Sequence, residues 1–521
     1  MIDTKLLRQK ILDLAIRGKL VRQDPNDEPA SELLKKIKAE KETLIKAGNL
    51  KRDKHESFIF RGDDKRYYEQ IDGKTTDITK EIPFDLPEGW AWCRLHNLCK
   101  SIIDGDHQPP PQTSEGIPFL VISNVSDGKL SFQHTRFVSE EYFSGLSESR
   151  IPHRDDILLT VTGSYGIAIL IEVETKFCFQ RHISLLKTIN TNNHFLTRWL
   201  QTEPIKKQFD KSVTGTAQQT LGLNVLRTTL LPLPPLAEQK RIVAQIERLL
   251  KCVDEIDKES ETLEKSITLA KQKILDLAIR GKLVPQDPDD EPASELLKKI
   301  KAEKETQIKA GKLKRDKHES FIFRGDDNCY YEQLNGKSVK ITAEIPFDLP
   351  DGWVWSRLRS LGTIVGGGTP STLNADYWNG EIPWLSPADL TDYHKKYISR
   401  GRKNITTDGL AHSSAVLMPS GSILYSSRAP IGYVVIARNA ISTNQGFKSL
   451  VPAINGLSEF LYYILIGVTP DIKRRATGTT FKEISGAEFG ETLVPLPPLR
   501  EQLRIVQAIE QYDSILGAIS K

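Results

Sequence analysis

The chain repeats itself at a fixed offset of 263 residues. The stretch "KILDLAIRGKLV" begins at Lys10 and again at Lys273, and the match continues without a gap as far as "GWAWCRL" at 89–95 and "GWVWSRL" at 352–358. A second block, "PLPPLAEQKRIV" at 232–243 and "PLPPLREQLRIV" at 495–506, keeps the same offset. Because self-similarity at one period indicates one structural unit used more than once, we expect two half-copies that share a framework.

The residues between the repeated blocks differ. Residues 96–228 and 359–491 have equal lengths and share little sequence. Strand-like runs at 117–125, 155–170 and 421–437 alternate in them with turns and short helical segments, which is typical of a mixed α/β domain. We therefore divide the chain into a framework region (1–95), a first insert (96–228), a central framework region (229–358), a second insert (359–491) and a C-terminal helix (492–521).

A coiled-coil pattern follows the first proline block. Apolar residues recur in alternate steps of four and three over five heptads, with a polar interruption at Ser260. The alternative is a single amphipathic helix on a globular core, but a strict 3.5-residue period over this length favours a two-helix seam. The predicted seam positions of this central helix are Ile242, Ile246, Leu249, Val253, Ile256, Leu263, Ile267, Ile274 and Leu277.

The two ends of the chain supply the partner for the central helix. Leu7, Ile11 and Leu14 lie 263 residues before positions of the central pattern, and a C-terminal set lies 263 residues beyond others. Both terminal helices must run antiparallel to the central helix for the arrangement to close. The expected fold class is therefore mixed α/β (α+β), with two globular domains joined by a long antiparallel two-helix coiled coil and a pseudo-two-fold internal repeat. The C-terminal seam positions are Ile505, Ile509, Leu516 and Ile519.

Composition excludes several classes of protein. No run approaches the 18 apolar residues of a membrane span, and the N-terminus lacks the apolar core and cleavage site of a signal peptide. The five cysteines are odd in number and scattered, which favours a reducing cytosol over a disulfide framework or a zinc ribbon. We expect a cytoplasmic protein, and the net charge of +4 alone does not indicate a nucleic-acid binder.

Catalytic motifs are absent from the sequence. The stretches "GKT" at 73–75 and "GKS" at 336–338 lack the earlier glycine of a phosphate-binding loop, since Tyr68 and Tyr331 stand at that position. There is no GxSxG, HExxH, EF-hand, HxH or HxxxH motif, so we predict neither a catalytic residue nor a metal site. An enzyme with an unrecognised site in one insert remains an alternative.

The inserts carry polar loops of the kind that contact DNA. Arginine, lysine, asparagine and glutamine can read base edges, while amides and hydroxyls hold phosphates. The first insert contains "DGDHQPPPQ", "TGSYG", "QRH" and "TGTAQQT", and the second contains "GGGTPST", "SRGRKN", "SSRAP" and "IKRRATGTTFK". Ordinary polar surface loops are the alternative. The candidate DNA-binding residues are His107, Gln108, Gln112, Ser164, Tyr165, Arg181, His182, Gln218, Gln219, Thr369, Ser371, Arg402, Lys403, Arg428, Lys473, Arg474, Arg475 and Lys482.

Two basic segments, 30–55 and 293–318, follow the predicted stalk helices. Each segment begins with a predicted helix, which starts after Pro29 or Pro292 and ends at Gly48 or Gly311. Their excess of lysine and arginine has two interpretations: a solvated helix face, or a docking surface for a partner subunit or DNA phosphates.

Taken together, these residues resemble the specificity subunit of type I restriction–modification enzymes. The resemblance covers essentially the whole chain and rests on "LPLPPLAEQKRIV" and "VPLPPLREQLRIV" closing the inserts, on "LPEGWAWCRL" and "LPDGWVWSRL" opening them, and on "GGGTPST" through "YWNGEIPWLS". The basic segments exceed a minimal stalk, so their role stays open.

The resemblance implies a non-catalytic DNA-recognition subunit. Each insert would be a target recognition domain that reads one half of a split, asymmetric site in double-stranded DNA, and the coiled coil would set the spacer between the halves. Two methyltransferase subunits and two restriction subunits would be the protein partners. This chain would bind no cofactor, since S-adenosylmethionine, ATP and Mg would belong to the partners. A protein scaffold with only incidental DNA contact is the alternative.

Overall fold

The structure, a computed structural model, describes residues 2–53, 56–106, 108–214, 219–316, 318–478 and 482–519. The chain divides into two units, residues 1–260 and 261–521. The division falls inside one long helix, so each unit contains one insert and part of that helix. The predicted mixed α/β class, with an internal repeat and a long helix between two domains, is confirmed.

The first unit begins with helices, continues through short strands and ends in the long helix α8. Its elements are α1 (Thr4–Ile16), α2 (Ala30–Lys46), β1 (Ser57–Arg61), β2 (Tyr67–Ile71), β3 (Lys74–Asp77), β4 (Ala91–Arg94), α3 (Leu95–Leu98), β5 (Cys99–Asp104), β6 (Ile117–Leu120), β7 (Arg136–Val138), α4 (Glu140–Ser144), β8 (Ile157–Thr160), β9 (Ala168–Leu170), β10 (Cys178–Phe179), β11 (Ile183–Thr188), α5 (Asn193–Leu200), α6 (Glu203–Asp210), α7 (Leu223–Thr228), β12 (Leu230–Leu233) and α8 (Leu236–Ile279).

The second unit repeats this order. Its elements after α8 are α9 (Ala293–Lys309), β13 (Ser320–Arg324), β14 (Tyr330–Leu334), β15 (Lys337–Lys340), β16 (Val354–Arg357), β17 (Gly362–Gly366), β18 (Trp378–Leu385), β19 (Tyr397–Ile398), β20 (Lys403–Ile405), α10 (Thr407–Ala411), β21 (Ile423–Tyr425), β22 (Val434–Ala437), β23 (Ser442–Thr443), β24 (Lys448–Pro452), α11 (Ser458–Arg475), α12 (Gly486–Gly490), β25 (Leu493–Leu496) and α13 (Leu499–Ile519).

The inserts have the same main sheet despite their different sequences. In the first unit the antiparallel strand order is β5-β11-β8-β9, and in the second it is β17-β24-β21-β22, with β19 added parallel to β22. A smaller three-stranded sheet accompanies each, β10-β6-β7 and β20-β18-β23. The strands of the main sheets are buried runs such as Ile157–Thr160 and Val434–Ala437, so each sheet forms the core of its insert.

The framework adds an antiparallel hairpin sheet, β1-β2-β3 or β13-β14-β15, and a two-stranded ribbon that brackets the insert. Strand β4 enters the insert and β12 leaves it, and the two pair with Pro232 opposite Trp92. Proline is tolerated there because a two-stranded ribbon has an edge on each strand. The repeated proline block therefore closes the insert and leads directly into α8.

The first turn of α8 is fixed by a buried carboxylate. Glu238 is 1% exposed and accepts hydrogen bonds from Trp90 Nε1 at 3.0 Å and Gln23 Nε2 at 3.1 Å. Burial raises the pKa of Glu238 above its ordinary value. Gln239 Nε2 donates to the carbonyl of Pro234 at 2.9 Å, which ties the helix to the proline block.

The second unit reproduces this junction at the same offset. Glu501 accepts from Trp353 Nε1 at 3.0 Å and from Gln286 Nε2 at 3.1 Å, and burial again raises its pKa. Gln502 Nε2 donates to the carbonyl of Pro497 at 3.0 Å. The identical residues of "PLPPL" and "EQ" therefore serve one geometry twice.

Within each unit the terminal helix packs antiparallel on its part of α8. In the first unit Arg8, near the start of α1, bonds Asp254 at 2.6 Å and Asp257 at 2.8 Å. Asp27, beyond the end of α1, pairs with Arg241 near the start of α8 at 2.5 Å. Opposite ends of the two helices therefore meet.

The second unit shows the same antiparallel packing with α13. Lys271 lies 3.3 Å from Asp513, and Arg504 lies 2.7 Å from Asp290, beyond the end of α8.

Burial along the predicted seam is greatest near the inserts. Five seam residues are buried and two, Leu263 and Ile519, are 40% and 52% exposed, while the others are half-buried. The long helix therefore has a more exposed middle than its regular apolar pattern indicates, and the role of Leu263 and Ile519 in a seam stays a prediction. The buried seam residues are Ile242, Ile246, Val253, Ile505 and Ile509, and the half-buried ones are Leu249, Ile256, Ile267, Ile274, Leu277 and Leu516.

The basic segments form helices α2 and α9, and much of their positive charge is paired locally. Lys35 bonds Glu32 at 2.8 Å, and Arg52 bonds Glu42 at 2.6 Å. Lys304 is 4% exposed and donates to the carbonyl of Arg359 at 3.2 Å. These contacts favour a structural face that braces the framework. Among the described residues no helix is long and apolar enough to cross a membrane.

Candidate nucleic-acid interface

Each insert holds a tight hairpin turn at one end of its main sheet. In the first unit Thr160 ends β8, and its hydroxyl donates to the carbonyl of Ser164 at 2.6 Å and accepts from the amide of Ile167 at 2.9 Å. Gly166 has a φ of 85°, which glycine adopts without the strain that a side chain would bring. The loop "TGSYG" at 162–166 is therefore held by the hydroxyl of Thr160, which precedes it by two residues.

The second unit builds the same turn from different residues. The Ser426 hydroxyl donates to the carbonyl of Pro430 at 2.7 Å and accepts from the amide of Tyr433 at 2.8 Å, and Gly432 has a φ of 104°. The loop "SSRAP" is thus the structural counterpart of "TGSYG", although the two share no sequence pattern.

A second loop pairs with each hairpin turn. In the first unit Thr162 forms a β-bridge with Thr220, and the amide of Gly163 donates to the carbonyl of Gln219 at 3.0 Å. Gln219 and Thr220 of the loop "TGTAQQT" therefore lie beside "TGSYG".

The second unit has the matching β-bridge between Arg428 and Glu483. Glu483 lies 263 residues beyond Thr220, its counterpart in the first unit. Its second loop, which follows α11, carries Lys482.

A third segment is hydrogen-bonded to each hairpin turn, through the amide of the residue directly after Thr160 or Ser426. The amide of Val161 donates to the carbonyl of His182 at 2.9 Å, and the amide of Ser427 donates to the carbonyl of Gly446 at 2.7 Å. The stretch "QRH" at 180–182 thus has "NQG" at 444–446 as its counterpart, which sequence reasoning did not select.

A fourth segment approaches so closely that only glycine fits. A Cβ on Gly105 would lie 2.1 Å from the carbonyl oxygen of Phe179, and one on Gly367 would lie 1.9 Å from that of Asn444. The loops that follow β5 and β17 are therefore packed directly on the third segment.

We call this arrangement the four-loop cluster. It consists of residues 105–112, 161–167, 180–182 and 214–220 in the first unit, and of residues 367–374, 427–433, 444–446 and 477–483 in the second, within the described ranges.

The cluster contains most of the predicted DNA-binding residues. His107 and Gln218 lie outside the described residues. Lys473, Arg474 and Arg475 lie in the last turn of α11, which leads into the cluster. The predicted residues inside the cluster are Gln108, Gln112, Ser164, Tyr165, Arg181, His182, Gln219, Thr369, Ser371, Arg428 and Lys482.

Arg402 and Lys403 lie outside the cluster, at the start of β20. The backbone amide of Arg402 donates to Asp389 at 2.9 Å, while its side chain is largely exposed. The Nζ atom of Lys403 lies 5.4 Å from the ring centroid of Trp378, whose Nε1 donates to the carbonyl of Ser371 at 3.1 Å. Lys403 is therefore close to the cluster through Trp378.

An acidic side chain lies between two cations in the second cluster. Glu483 accepts from Arg428 Nη1 at 3.2 Å and from Lys448 Nζ at 3.2 Å. Two cations and one carboxylate give this group one net positive charge. Because Arg428, Lys448 and Glu483 are all partly exposed, that charge lies at the surface. Sequence reasoning missed Lys448 and Glu483. The signal that could have found Glu483 is the stretch "TGT", which occurs at 214 and at 477, 263 residues apart.

The first cluster has a different charge pattern. Asp106 accepts from Arg150 at 2.6 Å and from the hydroxyl of Tyr142, and burial with this hydrogen bond raises the pKa of Tyr142. Burial also lowers the pKa of His182, with a smaller contribution from Arg181. His182 is therefore expected to be neutral, while the exposed Arg181 supplies the charge.

Two predicted residues of this region make structural contacts. Tyr165 donates its hydroxyl to Asp210 at 2.7 Å. Arg475 donates to the carbonyl of Glu488 at 2.6 Å and to Thr492 at 2.8 Å. Within the described ranges no group of three or more histidine, cysteine, aspartate or glutamate side chains could hold a metal ion.

Comparison with known families matches both halves of the chain. The profile of the type I restriction modification DNA specificity domain matches residues 87–265 and 350–521, and the two matches begin 263 residues apart.

Among curated proteins, the specificity subunits of the Escherichia coli type I restriction enzymes EcoAI and EcoEI are similar over nearly the whole chain. The EcoAI subunit is 28% identical, over 97% of this chain and 88% of that protein. The EcoEI subunit is 29% identical, over 98% of this chain and 89% of that protein. The MjaIX specificity subunit of Methanocaldococcus jannaschii is 40% identical over 32% of this chain and 39% of its own length.

A solved structure shares the fold. It comes from work on the complex assembly and conformational transition of the type I R-M system, and it covers 84% of this chain and 93% of its own with a TM-score of 0.56. At 22% sequence identity this likeness concerns the fold alone.

Proposed function

The chain belongs to the type I restriction–modification DNA specificity family, and from this premise we propose that it reads a bipartite, asymmetric DNA sequence with one four-loop cluster for each half-site. The inserts 96–228 and 359–491 are then the two target recognition domains. The regions 1–95, 229–358 and 492–521 are the framework that carries them.

The observation that supports this proposal best is that the loops of the two units have the same backbone pairing but different side chains. Thr162 in the first cluster corresponds to Arg428 in the second, and Thr220 corresponds to Glu483. Base edges are distinguished by the donors and acceptors that side chains present to them. One loop scaffold with two side-chain sets is therefore suited to two different half-sites.

The long helix α8 is the proposed spacer between the half-sites. The predicted seam from Ile242 to Leu277 is about 50 Å long at 1.5 Å per residue. This length corresponds to about 15 bp at 3.4 Å per base pair. A separation of this size suits two half-sites with non-specific DNA between them.

We further propose that the chain is non-catalytic and works in a cytoplasmic complex with two methyltransferase and two restriction subunits. The framework supports two copies of one partner, because residues 10–95 and 273–358 are about four-fifths identical whereas the inserts are not. S-adenosylmethionine, ATP and Mg would be bound by these partners.

A DNA-binding comparison tests the recognition role. The chain would be purified with its methyltransferase subunit, and its target sequence would be found by mapping methylated adenines in the host genome. We expect the complex to bind a duplex with this sequence at least 10³-fold more tightly than a random duplex, as specific DNA-binding proteins do. Equal affinity would favour a scaffold with incidental DNA contact.

An insert exchange tests the modular assignment. Replacing residues 96–228 by the insert of a related subunit should change one half-site and leave the other intact. A change in both half-sites would contradict one domain per half-site.

A further inference from the structure

The loop that follows β17 has an apolar tip. Leu373 is 98% exposed, more than any other large hydrophobic side chain among the described residues. It follows Thr369 by four residues, and the Thr369 hydroxyl donates to the side chain of Gln445 in the third segment of the cluster. Single exposed apolar side chains are common on protein surfaces, so exposure alone assigns Leu373 no role.

The part of the loop that precedes this tip is held by two tryptophans. Trp384 Nε1 donates to the carbonyl of Gly368 at 2.9 Å, and Trp378 Nε1 donates to the carbonyl of Ser371 at 3.1 Å. The two indole rings contact each other edge to face, with centroids 5.2 Å apart. Two tryptophans therefore fix the loop while Leu373 stays in solvent.

The turn beyond the tip is also closed. The amide of Asn374 donates to the carbonyl of Ser371 at 3.4 Å, and the side chain of Asn374 accepts from the amide of Asp376 at 3.1 Å. A loop ordered in this way loses little conformational entropy when it binds. Leu373 is thus an exposed apolar side chain on a backbone that is fixed by hydrogen bonds. A surface leucine without a role does not need such a fixed backbone.

The first unit places apolar residues in the counterpart loop. Pro109 and Pro111 are exposed in the loop that follows β5, next to Gln108 and Gln112. Leucine and proline are both among the side chains that DNA-binding proteins insert between base pairs, where they unstack the step and bend the duplex.

We propose that Leu373 is an apolar wedge that enters a base step of the half-site read by the second unit. This inference rests on the proposed function and adds a role for one residue of that interface. Ser371 and Thr372, both exposed, come directly before the wedge in the chain. Lys403, behind Trp378, is placed to meet a phosphate beside the opened step.

The test uses the assembled complex of this chain with its methyltransferase subunit. Duplexes with the mapped target sequence would carry 2-aminopurine at successive positions of each half-site, because this base becomes more fluorescent when it is unstacked. The wild-type complex should raise the fluorescence at one step in the half-site of the second unit. Leu373→Ala should abolish this rise and weaken specific binding about tenfold, while Leu373→Phe should keep both.

A matched control is Leu269→Ala on α8, where an apolar side chain of 64% exposure lies away from the cluster. This variant should behave as wild type in both measurements. Fluorescence that does not rise at any step with the wild-type complex, or that rises equally with Leu373→Ala, would overturn the wedge. Weaker binding by Leu373→Ala without any change in stacking would also overturn it, in favour of an edge contact to a base.

The failure of the wedge and the failure of the proposed function give different results. A wild-type complex that prefers the mapped target over a random duplex but leaves every 2-aminopurine stacked loses only the wedge. A complex without that preference loses the recognition role itself.

Discussion

Replacing Glu483 by glutamine removes a carboxylate that pairs with Arg428 and Lys448 at the surface of the second cluster. The backbone of Glu483 keeps its β-bridge to Arg428, since the substitution changes only the side chain. The local charge of these three groups rises from one to two positive, and both cations become free to contact phosphates.

The expected magnitude follows from counterion release. Each additional phosphate contact makes the slope of log K against log salt more negative by about 0.9. If one cation gains a contact, raising the salt from about 50 to about 200 mM weakens the variant about 3.5-fold more than the wild type. If both gain a contact, the additional factor is about 12.

Fluorescence anisotropy with a labelled target duplex at four or five salt concentrations measures this slope. The control is Glu295→Gln, which removes the same charge from the same unit but lies on α9, where Glu295 pairs with Lys298 at 2.7 Å. An unchanged slope for Glu483→Gln, or an equal change for Glu295→Gln, would refute a phosphate-binding role for Arg428 and Lys448.

Three further predictions concern the framework. Deleting residues 258–264, one heptad of α8, shortens the helix by about 10 Å. Methylation mapping should then show a changed spacer length and two unchanged half-sites. An altered half-site would contradict the spacer role. Trp90→Phe removes a donor from a buried carboxylate and should lower the free energy of unfolding by about 1–3 kcal/mol, and Trp353→Phe should cost about as much, as measured by urea denaturation; a large difference would show that the two junctions are not equivalent. Because burial raises the pKa of Glu238 and Glu501, their contribution to stability is complete below the ordinary glutamate pKa and is lost as the pH rises through the folded-state values. The paired substitution by glutamine should therefore flatten the fall in melting temperature as the pH rises above the ordinary glutamate pKa of about 4.3, and an identical pH profile would contradict a raised pKa.

The repeat in the sequence predicted the architecture because it is a long-range feature that needs no side-chain detail. An offset of 263 residues paired the two framework copies and linked both ends of the chain to the central helix. The heptad pattern indicated the helix, and the match of both chain ends to it indicated their antiparallel direction, but neither could show how much of each apolar residue is covered. Leu263 is 40% exposed although its heptad position equals that of the buried Ile242.

The cluster could be predicted only in part. Polar composition selected most of its loops, but their pairing depends on strand order, which places residues far apart in sequence side by side. Arg428 and Glu483 are 55 residues apart and face each other only because their loops bridge. Lys448 was missed because a lysine at the start of a strand has no distinctive pattern.

The correspondence of the hairpin turns was also hidden. Thr160 and Ser426 occupy the same place 266 residues apart, whereas the framework repeats at 263, so a search at one offset does not align them. Arg402 was selected for its charge, yet it lies outside the cluster.

The residues that hold the four-loop cluster explain how two domains of such different sequence can keep one shape. Thr160 and Ser426 fix their turns by hydrogen bonds to the backbone, and either hydroxyl serves equally well. Gly105 and Gly367 are required because another backbone passes within 2.1 Å of where a Cβ would stand. The loops otherwise pair through amides and carbonyls, which every residue other than proline supplies. Most loop side chains are therefore not needed to hold the backbone together, and under the proposed function they could change with the DNA sequence that is read while the scaffold stays constant.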